Sequence, residues 1–146
     1  MFYEQGRNQW REPVQTIGVL ELSSRACKLI VGNAVHLRRG FSWTEFYSNT
    51  VLTHFSRAIL NDDLTLVYFE SKIWPLISAQ IQHARERNVD LLVGVATAPM
   101  RQTHLQAELL AFMTDKGLHV HVLSPMEEVQ ATYAGFEWAL EQEGPE

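Results

Sequence analysis

The pattern of apolar and polar positions predicts that the chain begins with short strands. Two β-rich runs, residues 16–22 and 27–35, flank a polar stretch at residues 23–26, which is the spacing of two strands around a tight turn. From residue 41 to residue 47, aromatic side chains alternate with polar ones, as in a strand with one buried face. We expect these strands to pair antiparallel, because connections this short cannot cross over a sheet.

A long helix should follow this set of strands. Residues 49–63 are expected to form a connection, and residues 65–87 carry apolar side chains at a spacing near 3.6 residues, which predicts a helix. Pro75 lies inside that pattern and should kink or split the helix, because proline has no backbone N–H to donate.

The second half of the chain alternates strand and helix. The apolar run at residues 91–96 is typical of a strand buried on both faces. Leu105, Leu109 and Phe112 predict a helix that ends near Gly117, and residues 119–123 return as a strand. Because a helix separates these two strands, we expect them to be parallel.

The start of the last helix is the best-defined boundary in the sequence. Ser124 suits the N-cap, Pro125 the first helical position, and Glu127 follows three residues after the cap, which is a capping-box pattern. The helix should present Trp138 on the side opposite its apolar face, so we expect Trp138 to lie at an interface with another protein. The apolar face consists of Met126, Val129, Tyr133, Phe136 and Leu140.

The charge and cysteine content of the chain argue against several classes of function. The formal net charge is -5, so no basic field is present to attract nucleic acid or an anionic membrane. The single cysteine, Cys27, fits a reducing cytoplasm and offers no metal cluster. We found no signal peptide and no apolar run long enough to span a membrane, and we expect a cytoplasmic protein.

Polar side chains follow the predicted strands where each one ends. Thr97 and Arg101 come after the strand at residues 91–96, and Ser124, Glu127 and Glu128 come after the strand at residues 119–123. Hydroxyl and guanidinium groups donate hydrogen bonds to phosphate, and a carboxylate can orient water. These turns therefore predict an edge of the sheet that handles phosphate.

These motifs resemble those of a known family. Ala96-Thr97-Ala98-Pro99-Met100-Arg101 and Ser124-Pro125-Met126-Glu127-Glu128 are similar to two blocks in the amino-terminal lobe of the exopolyphosphatase and guanosine pentaphosphate phosphohydrolase (Ppx/GppA) family. That family belongs to the actin-like ATPase superfamily. The resemblance implies an α/β fold consisting of a single ribonuclease H-like lobe, with a mixed five-stranded sheet and helices on its faces. We predict an extension at residues 1–15, the lobe at residues 16–142 and a tail at residues 143–146.

The first phosphate loop of the family is eroded in this chain. Its aspartate falls on Glu21, its glycine on Ser23, and its later polar positions on Ser24, Arg25 and Ala26. Glycine lets a backbone approach phosphate closely, so its loss weakens such a loop. By resemblance, Ser24 and Arg25 remain candidates for phosphate binding, and Glu21 is a weak candidate for holding Mg²⁺.

Each site residue has two interpretations. By resemblance, Glu127 would be the catalytic base or the carboxylate that orients water, whereas the capping box gives it a structural task that we favour. Arg101, with Thr97, would bind phosphate, or it would pair with a nearby glutamate. His119 and His121 share one side of a strand and could contribute to a metal site, but a polar sheet face explains them better.

Three functions follow from this sequence. The first is a non-catalytic interaction or regulatory module, because the first loop is eroded and the second lobe of the family does not follow. The alternative is half of a phosphohydrolase acting on polyphosphate, guanosine pentaphosphate or nucleotides, completed by a protein partner or by self-association. The third is a phosphate or nucleotide sensor. If the protein is an enzyme at all, we expect it to be inactive alone.

Overall fold

The computed structural model describes residues 14–38 and 40–131 of the chain. Its strands are β1 (Gln15–Leu22), β2 (Ala26–His36), β3 (Phe41–Leu52), β4 (Leu91–Ala96) and β5 (Val120–Val122). They form a five-stranded sheet in the order β3-β2-β1-β4-β5. The first three strands pair antiparallel, whereas β4 pairs parallel with both β1 and β5. The mixed sheet predicted from the sequence is therefore confirmed.

Helices connect the strands of this sheet. They are α1 (Phe55–Leu60), α2 (Leu66–Tyr68), α3 (Trp74–Glu86), α4 (Ala98–Gln102), α5 (Gln106–Asp115) and α6, which includes residues 125–131. A π-helical segment, Phe69–Ile73, joins α2 directly to α3. Among the described residues, no helix has both the length and the apolar character that crossing a bilayer requires.

The predicted long helix changes its hydrogen-bonding pattern next to Pro75. The π-helical segment ends at Ile73, and Pro75 lies in the first turn of α3. Proline cannot donate a hydrogen bond to Ser71, four residues earlier, and its ring would clash with that carbonyl in a regular α-helix. The wider π-helical turn accommodates both effects. The helix itself continues from Leu66 to Glu86, so Pro75 does not split it, and a kink at this position stays a prediction.

The connection predicted at residues 49–63 contains regular secondary structure that the sequence pattern did not indicate. β3 continues to Leu52, and α1 begins at Phe55. Phe55 and Ala58 are buried in the core and therefore hold this short helix against the sheet. A six-residue helix has little stability of its own, so burial rather than local propensity determines it.

One hydrophobic core holds the long helices against a single face of the sheet. Alternate residues of β1, including Leu20 and Leu22, are buried in the same cluster as Ile77 of α3 and Leu109 of α5. Because side chains alternate across a strand, Val19 lies on the opposite face. The core therefore lies between the sheet and these two helices.

The prediction that β4 is buried on both faces is only half correct. Gly94 and Ala96 are buried, whereas Val93 and Val95 are only partly buried. Leu91, on the same side as Val93 and Val95, is 49% exposed. An uninterrupted apolar run does not reveal which of its faces the helices cover.

A buried glutamine ties α3 to the antiparallel half of the sheet. The side-chain amide of Gln80 donates to the carbonyl oxygens of Cys27 (3.0 Å) and Asn49 (2.9 Å). Its own oxygen accepts a hydrogen bond from the side chain of Asn49 at 2.9 Å. Gln80 is fully buried, and these bonds satisfy the polar atoms that its burial removes from water.

Candidate functional site

Three strands end level with one another at one edge of the sheet. In the register of the ladder, Leu22 of β1 lies opposite Ala96 of β4, and Ala96 lies opposite Val122 of β5. The turns that follow these strands carry the candidate residues, so the topology brings those turns to the same edge. We refer to the turns after β1, β4 and β5 as the strand-end site.

The turn after β1 is closed by its own hydrogen bonds. Both the backbone N–H and the hydroxyl of Ser23 donate to the carbonyl oxygen of Ala26, at 3.0 and 3.2 Å. Two donors that would suit a phosphate are therefore already occupied. The side chains of Ser24 and Arg25 are exposed at the tip of this turn.

The same turn is attached to the start of α1 through its carbonyl groups. The oxygen of Arg25 accepts from the N–H groups of Thr53 and His54, at 2.8 and 3.1 Å, and the oxygen of Ser24 accepts from Ser56 at 2.9 Å. A phosphate is bound by N–H donors, whereas these contacts use the acceptors of the turn. The geometry anchors α1 to the sheet.

Thr97 is placed between the strand ends and is mostly shielded from solvent. Its N–H donates to the carbonyl of Leu22 at 3.2 Å, and its own carbonyl accepts from Met100 and Arg101 at the start of α4. Only 8% of the residue is exposed. Thr97 therefore fixes the turn from β4 into α4 through its backbone.

Arg101 connects α4 to the beginning of α6. Its guanidinium Nη1 donates to the carbonyl oxygen of Leu123 at 2.5 Å and to Oε2 of Glu128 at 2.8 Å. The Arg101 side chain is 20% exposed and that of Glu128 is 40% exposed. The predicted alternative, an arginine paired with a nearby glutamate, is the arrangement in the structure.

Glu127 and Ser124 form the capping box predicted from the sequence. The Glu127 N–H donates to Oγ of Ser124 at 3.1 Å, and the Ser124 N–H donates to Oε1 of Glu127 at 2.9 Å. The other carboxylate oxygen of Glu127 lies 3.1 Å from Nε2 of His121. One side chain thus links the helix start to β5.

These contacts favour the charged form of Glu127. The hydrogen bond from the Ser124 N–H is the largest cause that lowers the pKa of Glu127 below its ordinary value, and the hydrogen bond with His121 lowers it further. A carboxylate with a lowered pKa is a weaker base. The environment of Glu127 therefore suits a stable cap better than proton abstraction.

Glu21 is exposed near the end of β1 and faces away from the core. It lies opposite Lys28 in the ladder with β2 and opposite Val95 in the ladder with β4. Among the residues that the structure describes, no group of three or more His, Cys, Asp or Glu side chains could hold a metal ion. These neighbours do not supply the ligand set that Mg²⁺ prefers, and the metal role of Glu21 stays a prediction.

Some predicted features lie outside the described residues, and some observed contacts were not predicted. Trp138, proposed as an interface residue, lies beyond residue 131, as does the predicted tail at residues 143–146. Most of the predicted extension at residues 1–15 also lies outside the described residues. The contact of His121 with Glu127 and the attachment of α1 to the turn after β1 were not predicted from the sequence. No motif spacing indicates either contact, because each joins residues from separate elements.

Met126 and Val129, which lie on the predicted apolar face of α6, do not enter the core. Met126 is 64% exposed and Val129 is 63% exposed. Neither residue belongs to the core cluster or to the apolar residues packed against it. The first turns of α6 therefore present apolar side chains to solvent beside the strand-end site.

The fold is similar to that of solved Ppx/GppA structures. A family member from Aquifex aeolicus matches with a TM-score of 0.62 at 18% identity, over 77% of this chain and 36% of that one. An exopolyphosphatase-like protein matches with a TM-score of 0.64 at 13% identity, over 81% of this chain and 35% of that one. An exopolyphosphatase from Cytophaga hutchinsonii matches with a TM-score of 0.62 at 14% identity, over 75% and 34%.

These similarities confirm the fold expected from the motifs. The chain spans about a third of the length of the solved structures, with 36% covered in the Aquifex aeolicus protein, as expected for one lobe. No protein-family model matches the chain, and no curated protein matches its sequence. At these identities the similarity establishes a Ppx/GppA-like lobe fold.

Proposed function

We propose that this chain is a non-catalytic interaction or regulatory module with a Ppx/GppA-like lobe fold. The observation that carries the proposal is that Arg101 and Glu127, the two side chains with the chemistry for phosphoanhydride cleavage, are both engaged in holding α6. A cytoplasmic location belongs to this proposal and is supported by the buried free cysteine Cys27.

The hydrogen bonds that the Arg101 guanidinium already makes argue against a role for this side chain in phosphate binding. A guanidinium that binds a transferred phosphoryl group must direct its N–H donors at that group. Here Nη1 is shared between the Leu123 carbonyl and the Glu128 carboxylate. An anion would have to compete with a carboxylate that is part of the fold.

The apolar surface of α6 supports an interaction role. Met126 and Val129 are three positions apart, so they lie on the same side of the helix, and both are mostly exposed. Apolar side chains grouped next to a polar edge are typical of surfaces that bind proteins. We therefore place the interaction surface at the start of α6, with the predicted interface residue Trp138 farther along the chain.

The catalytic part of the proposal is tested by measuring phosphate release. The purified chain should release no phosphate above buffer from polyphosphate, ATP or guanosine pentaphosphate in the presence of Mg²⁺. Glu127→Ala removes the carboxylate, whereas Ser124→Ala weakens the cap and keeps the carboxylate. Turnover that is lost in Glu127→Ala and retained in Ser124→Ala would overturn the non-catalytic assignment.

The interaction part is tested by crosslinking in cells. A photoreactive phenylalanine analogue at position 129 should give a crosslinked species of defined mass, and Met126→Glu should abolish it. The same analogue at position 57, an exposed site on α1, serves as the control. Equal crosslinking at both positions, or none at position 129, would contradict an interaction surface on α6.

The level strand ends favour a second candidate, half of a phosphohydrolase. Because Leu22, Ala96 and Val122 align across the ladders, the turns carrying Ser24, Thr97 and Ser124 all emerge at one edge. That edge would face the phosphates if a partner or a second copy closed over it. Proteins of this fold include an exopolyphosphatase, which suggests polyphosphate or a nucleotide as the substrate class.

The second candidate makes a distinct prediction. Phosphate release should appear only when the partner or self-association completes the cleft, and it should depend on Glu127. If calorimetry instead detects nucleotide or polyphosphate binding without turnover, and Arg101→Ala abolishes that binding, the sensor function is favoured over both other assignments. Arg57→Ala is the matched control for the loss of a cation.

A further inference from the structure

The strand β3 forms one edge of the sheet, and within the part of the chain that the structure describes its outer side has no neighbour. The order β3-β2-β1-β4-β5 leaves β3 paired with β2 alone. With twelve residues, β3 is also the longest strand that the structure describes. An edge strand presents backbone N–H and C=O groups that can pair with another chain. The opposite edge, β5, has only three residues and offers few such groups.

The strand β3 lacks most of the features by which natural proteins protect an exposed edge. Those features include lysine, proline and a short strand, and the sequence of β3 contains no lysine and no proline. A bulge at Phe46 interrupts its pairing with β2, but residues 47–52 then pair with residues 26–31 without a break. None of residues 47–52 is charged. This part of the edge is therefore regular and neutral.

The hydrogen bonds of the ladder indicate which backbone groups of β3 point away from the sheet. At the end of the ladder, the Thr53 N–H donates to the carbonyl oxygen of Arg25 at 2.8 Å. In an antiparallel ladder, alternate residues direct both of their backbone groups to the same neighbour. Val51 therefore bonds to β2 as Thr53 does, whereas Ser48 and Thr50 direct their groups outward. These two residues can donate to, and accept from, a further strand.

Two exposed apolar side chains lie at equal distances from the middle of this segment. Phe46 is 49% exposed and Leu52 is 57% exposed. Each lies three positions from Asn49, and because they are six positions apart they share one face of the sheet. Antiparallel pairing of two copies around Asn49 brings Phe46 of each copy opposite Leu52 of the other. In the same register Ser48 lies opposite Thr50, so the outward backbone groups of the two copies meet.

We propose that the chain forms a symmetric dimer in which the two β3 edges pair antiparallel around Asn49. The two sheets then join into one sheet of ten strands through an isologous contact, in which both copies use the same surface. Each chain has a formal net charge of -5, so two copies approach with least repulsion where the surface carries no charge. Residues 47–52 meet this condition.

The position of the apolar side chains favours a second copy over a foreign strand. A foreign strand would use the same backbone groups, but it would not require Phe46 and Leu52 at equal distances from Asn49. The β3 edge lies across the sheet from β5, and α6 follows β5. The dimer is therefore separate from the interaction surface on α6 and does not depend on the proposed function.

Sedimentation equilibrium of the full chain tests the dimer. We expect a reversible equilibrium between monomer and dimer at concentrations below about 1 mM. Leu52→Ser removes two apolar contacts per dimer and should raise the dissociation constant at least about tenfold. Leu60→Ser, which changes a leucine that is 84% exposed on α1, is the matched control and should leave it unchanged. A chain that stays monomeric, or a Leu52→Ser dimer as tight as the parent, would overturn the proposal.

Disulfide crosslinking tests the register independently of Leu52. Ser48→Cys and Thr50→Cys change exposed side chains, and a mixture of the two variants should form a crosslinked dimer, because these positions face each other. Either variant alone should crosslink far less, and the native Cys27 is buried and does not compete. Equal crosslinking of a single variant and the mixture would contradict pairing around Asn49. A dimer that is lost in Met126→Glu and retained in Leu52→Ser would place self-association on α6 instead.

Discussion

Arg101 and Glu128 form an ion pair between α4 and α6, with 2.8 Å between Nη1 and Oε2. The same nitrogen donates to the carbonyl of Leu123, which lies just before the N-cap residue of α6. A side chain that would recognise phosphate by resemblance to the family therefore holds two helices together. This relationship makes the role of Arg101 accessible to a stability measurement.

Arg101→Ala should lower the free energy of unfolding by about 1–2 kcal/mol, because a charge-assisted bond to a backbone carbonyl is lost together with a partly exposed ion pair. Urea denaturation measures this change. Arg57→Ala, on the exposed side of α1, is the matched control and should have almost no effect. An unchanged stability in Arg101→Ala would mean that these contacts do not hold α6.

The capping box should make stability depend on pH. The pKa of Glu127 lies below its ordinary value of 4.5 in the folded protein, so the unfolded chain takes up the proton at a higher pH than the folded one. The stabilisation by Glu127 is therefore complete above that ordinary value and disappears as the pH falls through the folded pKa.

Glu127→Gln provides the measurement of this effect. The difference in urea midpoint between the parent chain and Glu127→Gln should shrink as the pH falls from about 7 through the folded pKa of Glu127, because the carboxyl group then becomes neutral like the amide. NMR titration of the Glu127 carboxyl carbon gives the folded pKa directly. A midpoint difference that stays constant with pH would contradict the assignment.

Cys27 should be unreactive in the folded protein. Burial raises the pKa of its thiol to about 12, and the neighbouring charge of Glu21 adds to the shift. At about pH 8 the thiolate fraction is then on the order of 10⁻⁴, and only the thiolate reacts with a disulfide reagent. Labelling should be negligible in buffer and rapid in denaturant, and rapid labelling of the native protein would show that the thiol is accessible.

Gln80 should be one of the most sensitive polar positions in the core. Gln80→Met keeps a similar size but removes the donors to Cys27 and Asn49, so we expect a loss of about 2–4 kcal/mol from groups left unsatisfied in the interior. Gln82→Met, on the exposed side of the same helix, is the control and should change stability little. Equal effects of the two substitutions on thermal unfolding would argue against the buried network.

The sequence predicted those parts of the fold that depend on local patterns. The capping box at Ser124 and Glu127 was predictable because its bonds join residues three positions apart. Helix α1 was missed because it depends on burial of Phe55, which only the assembled sheet provides. The contact of Arg101 with Glu128 was predicted only as one of two alternatives, since spacing alone cannot choose between a phosphate and a carboxylate.

The candidate site, too, could be predicted from the sequence only as far as local patterns determine it. The motifs correctly indicated which turns carry polar residues, and the register of β1, β4 and β5 brings those turns together. The motifs could not indicate how many hydrogen-bond donors of these turns already bind acceptors within the protein. Ser23 illustrates this limit, because both of its donors turn back to Ala26.

The sequence separation of the paired strands affects the order in which the sheet can fold. β1, β2 and β3 pair with their neighbours in sequence, whereas the parallel pairing of β1 with β4 brings Thr16 next to Asp90, 74 positions later. Closing a loop of that length costs more entropy than forming a hairpin. During synthesis, the antiparallel meander can therefore form first and leaves one edge of β1 exposed until β4 has emerged from the ribosome.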